Sequence, residues 1–248
     1  MLPVEVINLG KRYRIYKSIR PQSIKEMMFR GAGAYFNSET FWALRNVSFQ
    51  ITKGETLGIV GLNGAGKSSL LRLIGGIGRP DEGEIVTRGR VTGLLDLGAG
   101  FHPDLTGREN VFINGVIAGM TRAEVSLKFD SIVEFSELAD AIDRPLHTYS
   151  QGMKQRLGFA IVTNSVPDVL LIDELFSVGD KNFNRKCRDK LTQFKLSGCA
   201  TVLATHNTEA IKDLCEKAIF LKRGNVVCYG DSEEVVGLYE SDRTGYST

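Results

Sequence analysis

Residues 61–69 constrain the fold of this chain more than any other stretch. They read Gly-Leu-Asn-Gly-Ala-Gly-Lys-Ser-Ser, which fits the pattern G-x-x-x-x-G-K-[ST] of a phosphate-binding loop. The apolar run at 56–60 predicts a strand before the loop, and residues 70–74 predict the start of a helix after it. Strand, glycine-rich turn and helix in this order are the context that supports the pattern, so the sequence predicts an α/β nucleotide-binding core.

The residue types in the loop suit phosphate chemistry. Glycines let backbone N–H groups close around a phosphate without Cβ clashes, and the following helix directs its positive end at the same anion. Lys67 offers a positive charge to the β- and γ-phosphates, and the Ser68 hydroxyl is a natural Mg²⁺ ligand. The predicted phosphate-binding residues are Gly61, Leu62, Asn63, Gly64, Ala65, Gly66, Lys67, Ser68 and Ser69.

Composition and charge argue against several classes of protein. A formal net charge of +2 over 248 residues gives no general attraction to nucleic acid, so no nucleic-acid partner is expected. The four cysteines have no C-x-x-C spacing and are expected to be reduced thiols. No signal peptide and no run of about 18 apolar residues is present, so nothing predicts a membrane span.

The pattern along the chain indicates one domain over residues 1–248. We expect a basic, aromatic insertion at about 11–41 and a helical subdomain at about 106–164. The last two predicted strands form a hairpin that turns at 222–225. Predicted strands outside the loop motif lie at 4–9, 43–51, 169–173, 201–205, 218–221 and 226–229, with two further short strands around 88–90.

A second motif lies at the end of the apolar run 169–173, where two carboxylates, Asp173 and Glu174, follow each other. Ligands of a parallel sheet bind at the carboxyl ends of its strands. Asp173 is therefore predicted to hold Mg²⁺, and Glu174 to polarise an attacking water as a general base. The alternative interpretation is an ordinary strand end with solvated acidic side chains. The predicted phosphate-binding loop upstream favours the metal and water roles over this alternative.

The stretch 149–156, Tyr-Ser-Gln-Gly-Met-Lys-Gln-Arg, resembles the signature motif L-S-G-G-Q of ATP-binding cassette (ABC) ATPases. Ser150 and Gly152 match this motif, while Tyr149, Gln151 and Met153 depart from it. A serine N-cap with a glycine behind it opens a helix whose N–H groups can face an anion. The resemblance implies a head-to-tail homodimer in which Ser150 and Gly152 contact the γ-phosphate of ATP held by the other copy.

The same resemblance assigns three further positions. Asp180 falls at the place of the family's D-loop, at the dimer interface, and His206 at the place of the switch histidine that contacts the γ-phosphate. The Q-loop glutamine of the family falls at Leu97, and no glutamine lies nearby. Asp96 is the adjacent polar residue and the substitute that we expect as a metal contact.

Residues 93–110 and 173–183, together with Tyr-Ser-x-Gly-Met, look like the ABC ATPases that export bacterial polysaccharides: O-antigen, capsule and teichoic acid. Some members carry an additional carbohydrate-binding domain after the ATPase. Because this sequence ends at Thr248, we expect no such domain here.

An aromatic ring is expected to stack on adenine shortly after the first strand. Tyr13 and Tyr16 are the candidates, and position within the family slightly favours Tyr16. The alternative, a tyrosine exposed beside a basic turn, is equally open.

Residues 1–30 carry seven Lys and Arg against two Glu. Ile24, Met27 and Met28 share one helical face at 20–30, which fits either an interfacial helix near anionic lipid or a short helix packed on its own domain.

The resemblance implies an α/β P-loop ABC ATPase core with an antiparallel β portion, binding ATP and Mg²⁺. Its expected function is to drive export of a lipid-linked polysaccharide, with O-antigen as the first candidate. The chain would act with two membrane permease subunits at the cytoplasmic face of the inner membrane. ATP-driven closure would reach the permease through residues 98–107, which border the coupling-helix groove in the family. The alternatives are an ABC transporter ATPase for a lipid or small solute, and a soluble ABC ATPase outside transport.

Overall fold

The computed structural model describes residues 1–16, 38–95, 100–173 and 181–244. The strands are β1 Val4–Tyr16, β2 Ser38–Ile51, β3 Thr56–Val60, β4 Glu82–Thr87, β5 Val91–Leu94, β6 Val169–Asp173, β7 Ala200–Ala204, β8 Lys217–Lys222 and β9 Asn225–Asp231. The helices are α1 Lys67–Ile74, α2 Gly107–Ile117, α3 Arg122–Ser136, α4 Gln151–Asn164, α5 Lys181–Leu196, α6 Thr208–Leu214 and α7 Ser232–Thr244.

The larger sheet has six strands in the order β5-β6-β7-β3-β8-β9. Its strands pair in parallel except β9, which runs antiparallel to β8. All five residues of β3 and all five of β7 are buried, which explains their continuous apolar sequence. Because β7 lies between β6 and β3, the carboxyl ends of these three strands meet at one edge of the sheet.

A second sheet has three antiparallel strands in the order β2-β1-β4. It packs on the opposite side of α1 from the six-stranded sheet. Val4 and Leu9 of β1 and Leu44 and Val47 of β2 share one buried cluster with α1 and the central strands. Helix α1 therefore packs between the two sheets, and the predicted phosphate-binding loop that precedes it lies between them as well.

The first two strands are longer than the sequence predicted. Strand β1 continues to Tyr16, where it pairs with Ser38 at the start of β2, so the hairpin enters both ends of the stretch predicted as an insertion. Arg12 and Arg14 are exposed, so this part of the strand has no buried face to produce an apolar alternation. Residues 17–37, which include the basic segment 20–30, lie outside the described residues.

Helices α2, α3 and α4 fall within the stretch 106–164 that was predicted to be helical. They share a buried cluster of their own, which includes Val111, Val125 and Leu157. The first two begin with capping boxes in which Thr106 and Thr121 satisfy free N–H groups of the first turn.

No described helix is both long and apolar enough to cross a bilayer. All four cysteines are free thiols, as expected. Burial raises the pKa of Cys187 and Cys215 to about 12, so both are protonated near neutral pH and unreactive.

Candidate active site

The loop between β3 and α1 requires glycine at two positions of close approach. A Cβ on Gly61 would lie 2.3 Å from the carbonyl oxygen of Leu221. A Cβ on Gly66 would lie 2.6 Å from the carbonyl oxygen of Ala43, and Gly66 also has a φ of 111°. The loop therefore passes between the backbones of β8 and β2, and side chains at these positions would displace it.

Two backbone hydrogen bonds join the β8–β9 turn to its neighbours, one to the loop and one to β2. Gly224 donates its N–H to the carbonyl oxygen of Ala65 at 2.9 Å, and Arg45 donates to the carbonyl oxygen of Gly224 at 2.8 Å. Arg223 and Gly224 both have positive φ, as a two-residue type I′ turn requires. The predicted hairpin thus reaches across to the phosphate-binding loop.

Lys67 opens α1 and is only 7% exposed. Its Nζ donates hydrogen bonds to the carbonyl oxygens of Gly61 at 2.7 Å and Leu62 at 3.3 Å. Gly66, the N-cap of α1, has no side chain to satisfy the N–H groups of the first turn. The loop therefore combines a buried cation with a helix N-terminus, an arrangement that binds phosphate.

A cleft of about 600 Å³ opens in front of the loop. It joins the cationic loop to Asp173, at the carboxyl end of β6, and to two aromatic rings. Serine hydroxyl and carboxylate oxygens are hard donors of the kind Mg²⁺ prefers. The lining residues are Tyr13, Phe41, Ala43, Asn63, Gly64, Ala65, Gly66, Lys67, Ser68, Ser69, Leu95 and Asp173.

Tyr13 and Phe41 form the aromatic side of this cleft. They are opposite each other on β1 and β2, with ring centroids 5.9 Å apart and ring planes 31° apart. Tyr16 ends β1, and its side chain lies outside what the structure describes. Sequence reasoning missed Phe41, because only the pairing register of the hairpin places it beside Tyr13.

Ser150 is the N-cap of α4, as predicted, and its Oγ accepts a hydrogen bond from the Met153 N–H at 3.2 Å. Ser150 and Gly152 line a different cleft, of about 400 Å³. Among the described residues, this cleft shares none of its lining with the cleft at Lys67. In one copy of the chain, the N-termini of α1 and α4 thus line separate clefts.

His206 lies in the turn after β7, exposed, at the same sheet edge as Asp173. The turn is held by Thr205, whose Oγ1 accepts from the Asn207 N–H at 3.1 Å, and by Asn207, which caps α6. Three other predicted site residues, Glu174, Asp180 and Asp96, lie outside the described residues.

The ABC transporter family model matches residues 44–177. The chain is 47% identical over 210 residues to the O-antigen export system ATP-binding protein RfbB of Myxococcus xanthus, covering 85% of the chain and 48% of that protein. It is 37% identical over 235 residues to the protein of the same name in Klebsiella pneumoniae, covering 94% and 95%.

A teichoic acids export ATP-binding protein, TagH of Lactococcus lactis, is 44% identical over 204 residues, which cover 82% of the chain and 44% of TagH. The chain thus spans about half the length of the Myxococcus and Lactococcus relatives.

Two solved structures share the fold. One is an ATP-binding subunit of an ABC transporter, with a TM-score of 0.74 at 21% identity, covering 97% of this chain and 94% of that chain. The other is a dimeric ATP-binding cassette, MJ0796, bound to ADP and phosphate, with a TM-score of 0.74 at 23% identity, covering 92% and 98%. The predicted α/β core with an antiparallel β portion is confirmed.

Proposed function

Because this chain belongs to the ABC transporter family, we propose that it is the ATP-hydrolysing subunit of an exporter that moves a lipid-linked polysaccharide, O-antigen first among the candidates. The cleft that joins Lys67, Asp173 and an aromatic pair is the observation that carries the ATPase part. The names of the relatives, O-antigen export and teichoic acids export proteins, support the cargo class.

The residues of the first cleft divide the work of holding ATP. The loop and Lys67 bind the phosphates, while Tyr13 and Phe41 hold the base. Ser68 and Asp173 are the residues that would hold Mg²⁺, together with phosphate oxygens. The bound ion supplies charge neutralisation for the transferred phosphoryl group. Asp96 is proposed as a further contact in place of the missing glutamine.

Hydrolysis needs a residue that orients and deprotonates the attacking water. We assign this role to Glu174, because it directly follows Asp173 at the edge of the sheet where the cleft opens. His206, beyond the adjacent strand β7, is assigned to the γ-phosphate.

The separation of the two clefts supports a head-to-tail dimer. Ser150 and Gly152 can meet a γ-phosphate only if it comes from another nucleotide-bound copy, since their cleft is not the one at Lys67. A two-fold symmetric pair would create two such composite sites at once, with Asp180 at the interface.

A groove of about 460 Å³ between the helices and the core supports docking of a permease. It is lined by Gly100 and Phe101, which fall in the predicted coupling segment 98–107, and by the exposed side chains of Ile77 and Ile117. Exposed apolar surface of this kind is typical of protein-binding sites. We place the chain at the cytoplasmic face of the cell membrane, held there by two permease subunits.

The test is to replace Lys67 by Ala in the host cell and identify the material that accumulates in the cytoplasm. Lipid-linked polysaccharide is the expected result, since synthesis continues while export stops. The matched control is Lys53→Ala, which replaces an exposed lysine near the start of β3 and should leave export intact. Accumulation of a different cargo, or of none, would refute the proposed function.

A further inference from the structure

Glu137 directly follows α3 in a conformation that glutamate rarely adopts. It is the C-cap of the helix, with φ 59° and ψ 35° in the left-handed region. Glycine or asparagine usually occupies such caps, because a Cβ is disfavoured there. A residue held in an unfavourable conformation by its surroundings points to a role for its side chain.

The Glu137 carboxylate contacts two cations on two different helices. Its Oε2 accepts a hydrogen bond from Nη1 of Arg156 on α4 at 2.7 Å, and its Oε1 accepts one from Nζ of Lys186 on α5 at 2.5 Å. One side chain therefore joins the end of α3 to both helices. Such a network has more effect than a single exposed ion pair.

The helices joined by Glu137 also meet through an aromatic cluster. Phe135, Phe159 and Phe183 come from α3, α4 and α5, with ring centroids 5.9–6.1 Å apart. The Arg156 guanidinium lies 5.0 Å from the Phe183 ring centroid, and the Lys186 ammonium 5.7 Å from that of Phe135. Both cations are thus fixed from two sides, by a ring and by the carboxylate.

Glu137 and Arg156 line the same cleft as Ser150 and Gly152. Ser150 opens α4, and Arg156 lies on α4 less than two turns further on, so the carboxylate that holds Arg156 also fixes where the N-terminus of α4 points.

We propose that Glu137 is a positioning residue for hydrolysis. It holds the signature helix α4 against α5, the helix that follows β6 along the chain, so that Ser150 is correctly placed for the γ-phosphate of the other copy. This inference rests on the proposed composite site, and it goes beyond it by naming the side chain that aligns the contributing helix.

Glu137→Gly tests the proposal. It removes the carboxylate, and it also removes the Cβ that makes the left-handed backbone conformation unfavourable. We expect the melting temperature to stay equal or rise, because glycine tolerates the left-handed conformation. We expect kcat for ATP to fall by about ten- to a hundredfold, because a small misplacement far from the chemistry slows the reaction. Nucleotide affinity should stay unchanged. Lys186→Gln should lower kcat similarly, and the double variant should lose no more than the single ones.

Asp213→Asn is the matched control, since it removes another carboxylate that pairs with α5, through Arg188 at 2.7 Å, outside this cleft. Its kcat should equal that of the wild type. A stable Glu137→Gly variant with full kcat overturns the inference, as do additive effects in the double variant or an equal loss of nucleotide affinity. A wild-type chain without ATP turnover would instead count against the proposed function.

Discussion

At the scale of single residues, Tyr13 and Phe41 lend themselves to a direct test, because both rings line the cleft beside the phosphate-binding loop. Replacing either by Ala should weaken ATP binding about tenfold, since stacking of a base on an aromatic ring contributes about 1–3 kcal/mol. A titration with a fluorescent ATP analogue measures the change. Tyr16→Ala, three residues further along β1, is the comparison. Stacking on this pair would be ruled out by unchanged affinity in both Tyr13→Ala and Phe41→Ala.

Val166 is a second residue with a measurable consequence. It has a φ of 51° although it is β-branched, and its side chain is 61% exposed. A left-handed conformation costs about 1–2 kcal/mol for a residue with a Cβ. Glycine removes that cost but has more freedom in the unfolded chain, worth about 0.5–1 kcal/mol. Val166→Gly should therefore stabilise the fold, by up to about 1.5 kcal/mol, seen as a higher melting temperature.

Val166→Ala is the control for this prediction. It shortens the side chain as well but keeps the Cβ, so it should release little of the backbone strain. Equal stabilisation by alanine and glycine would show that the side chain, and not the backbone conformation, is the source of the effect.

At the scale of elements, the strands that could be predicted from the sequence are those whose residues are buried. Strands β3 and β7 were predictable because every residue in them is buried, which leaves an apolar run in the sequence. The outer part of β1 was not, since backbone pairing with β2 holds exposed residues such as Arg14 in place there. Phe41 could not be predicted for the same reason, because its contact with Tyr13 depends on the register of the β1–β2 pairing. The strand, glycine-rich loop and helix over residues 56–74 were predictable because the loop pattern is local in the sequence.

The starts of β3 and β8 are linked by charge, which makes the packing of these strands depend on pH. Glu55, buried just before β3, accepts hydrogen bonds from the N–H and Oγ1 of Thr52, and the Nζ of Lys217 on β8 lies 2.9 Å from its Oε1. Burial alone raises the pKa of the Glu55 carboxyl, but the hydrogen bonds from Thr52 and the ion pair with Lys217 outweigh it, so this pKa lies below its usual value. Folding therefore favours the ionised form.

A lowered carboxyl pKa adds stability that is present above the unfolded-state pKa, about 4.5, and is lost as the pH falls through the folded-state value. The free energy of unfolding of the wild type should decrease between about pH 6 and about pH 3, and that of Glu55→Gln should decrease less. Denaturant titrations at both pH values measure this difference. Glu82→Gln, which removes an exposed charge from β4, should keep the wild-type pH dependence of the free energy of unfolding. If Glu82→Gln weakened this pH dependence as much as Glu55→Gln, Glu55 would not be its cause.

At the scale of the whole molecule, the separation of the two clefts predicts subunit complementation. Lys67→Ala disables one cleft of a copy, and Ser150→Arg disables the other. In the proposed head-to-tail arrangement, a heterodimer of these two single variants would keep one composite site intact, with the Lys67 of one copy facing the Ser150 of the other. ATP turnover should therefore exceed that of either variant homodimer, although each of those should be inactive.

The matched control carries the same two substitutions on one copy, paired with a wild-type partner. In this arrangement each composite site contains one substituted residue, so turnover should remain at the background level. Purification through two different tags isolates each heterodimer, and steady-state phosphate release compares them. If both clefts of a single copy acted together instead, the order would reverse, because the wild-type partner would keep a complete site while the mixture of single variants would have none.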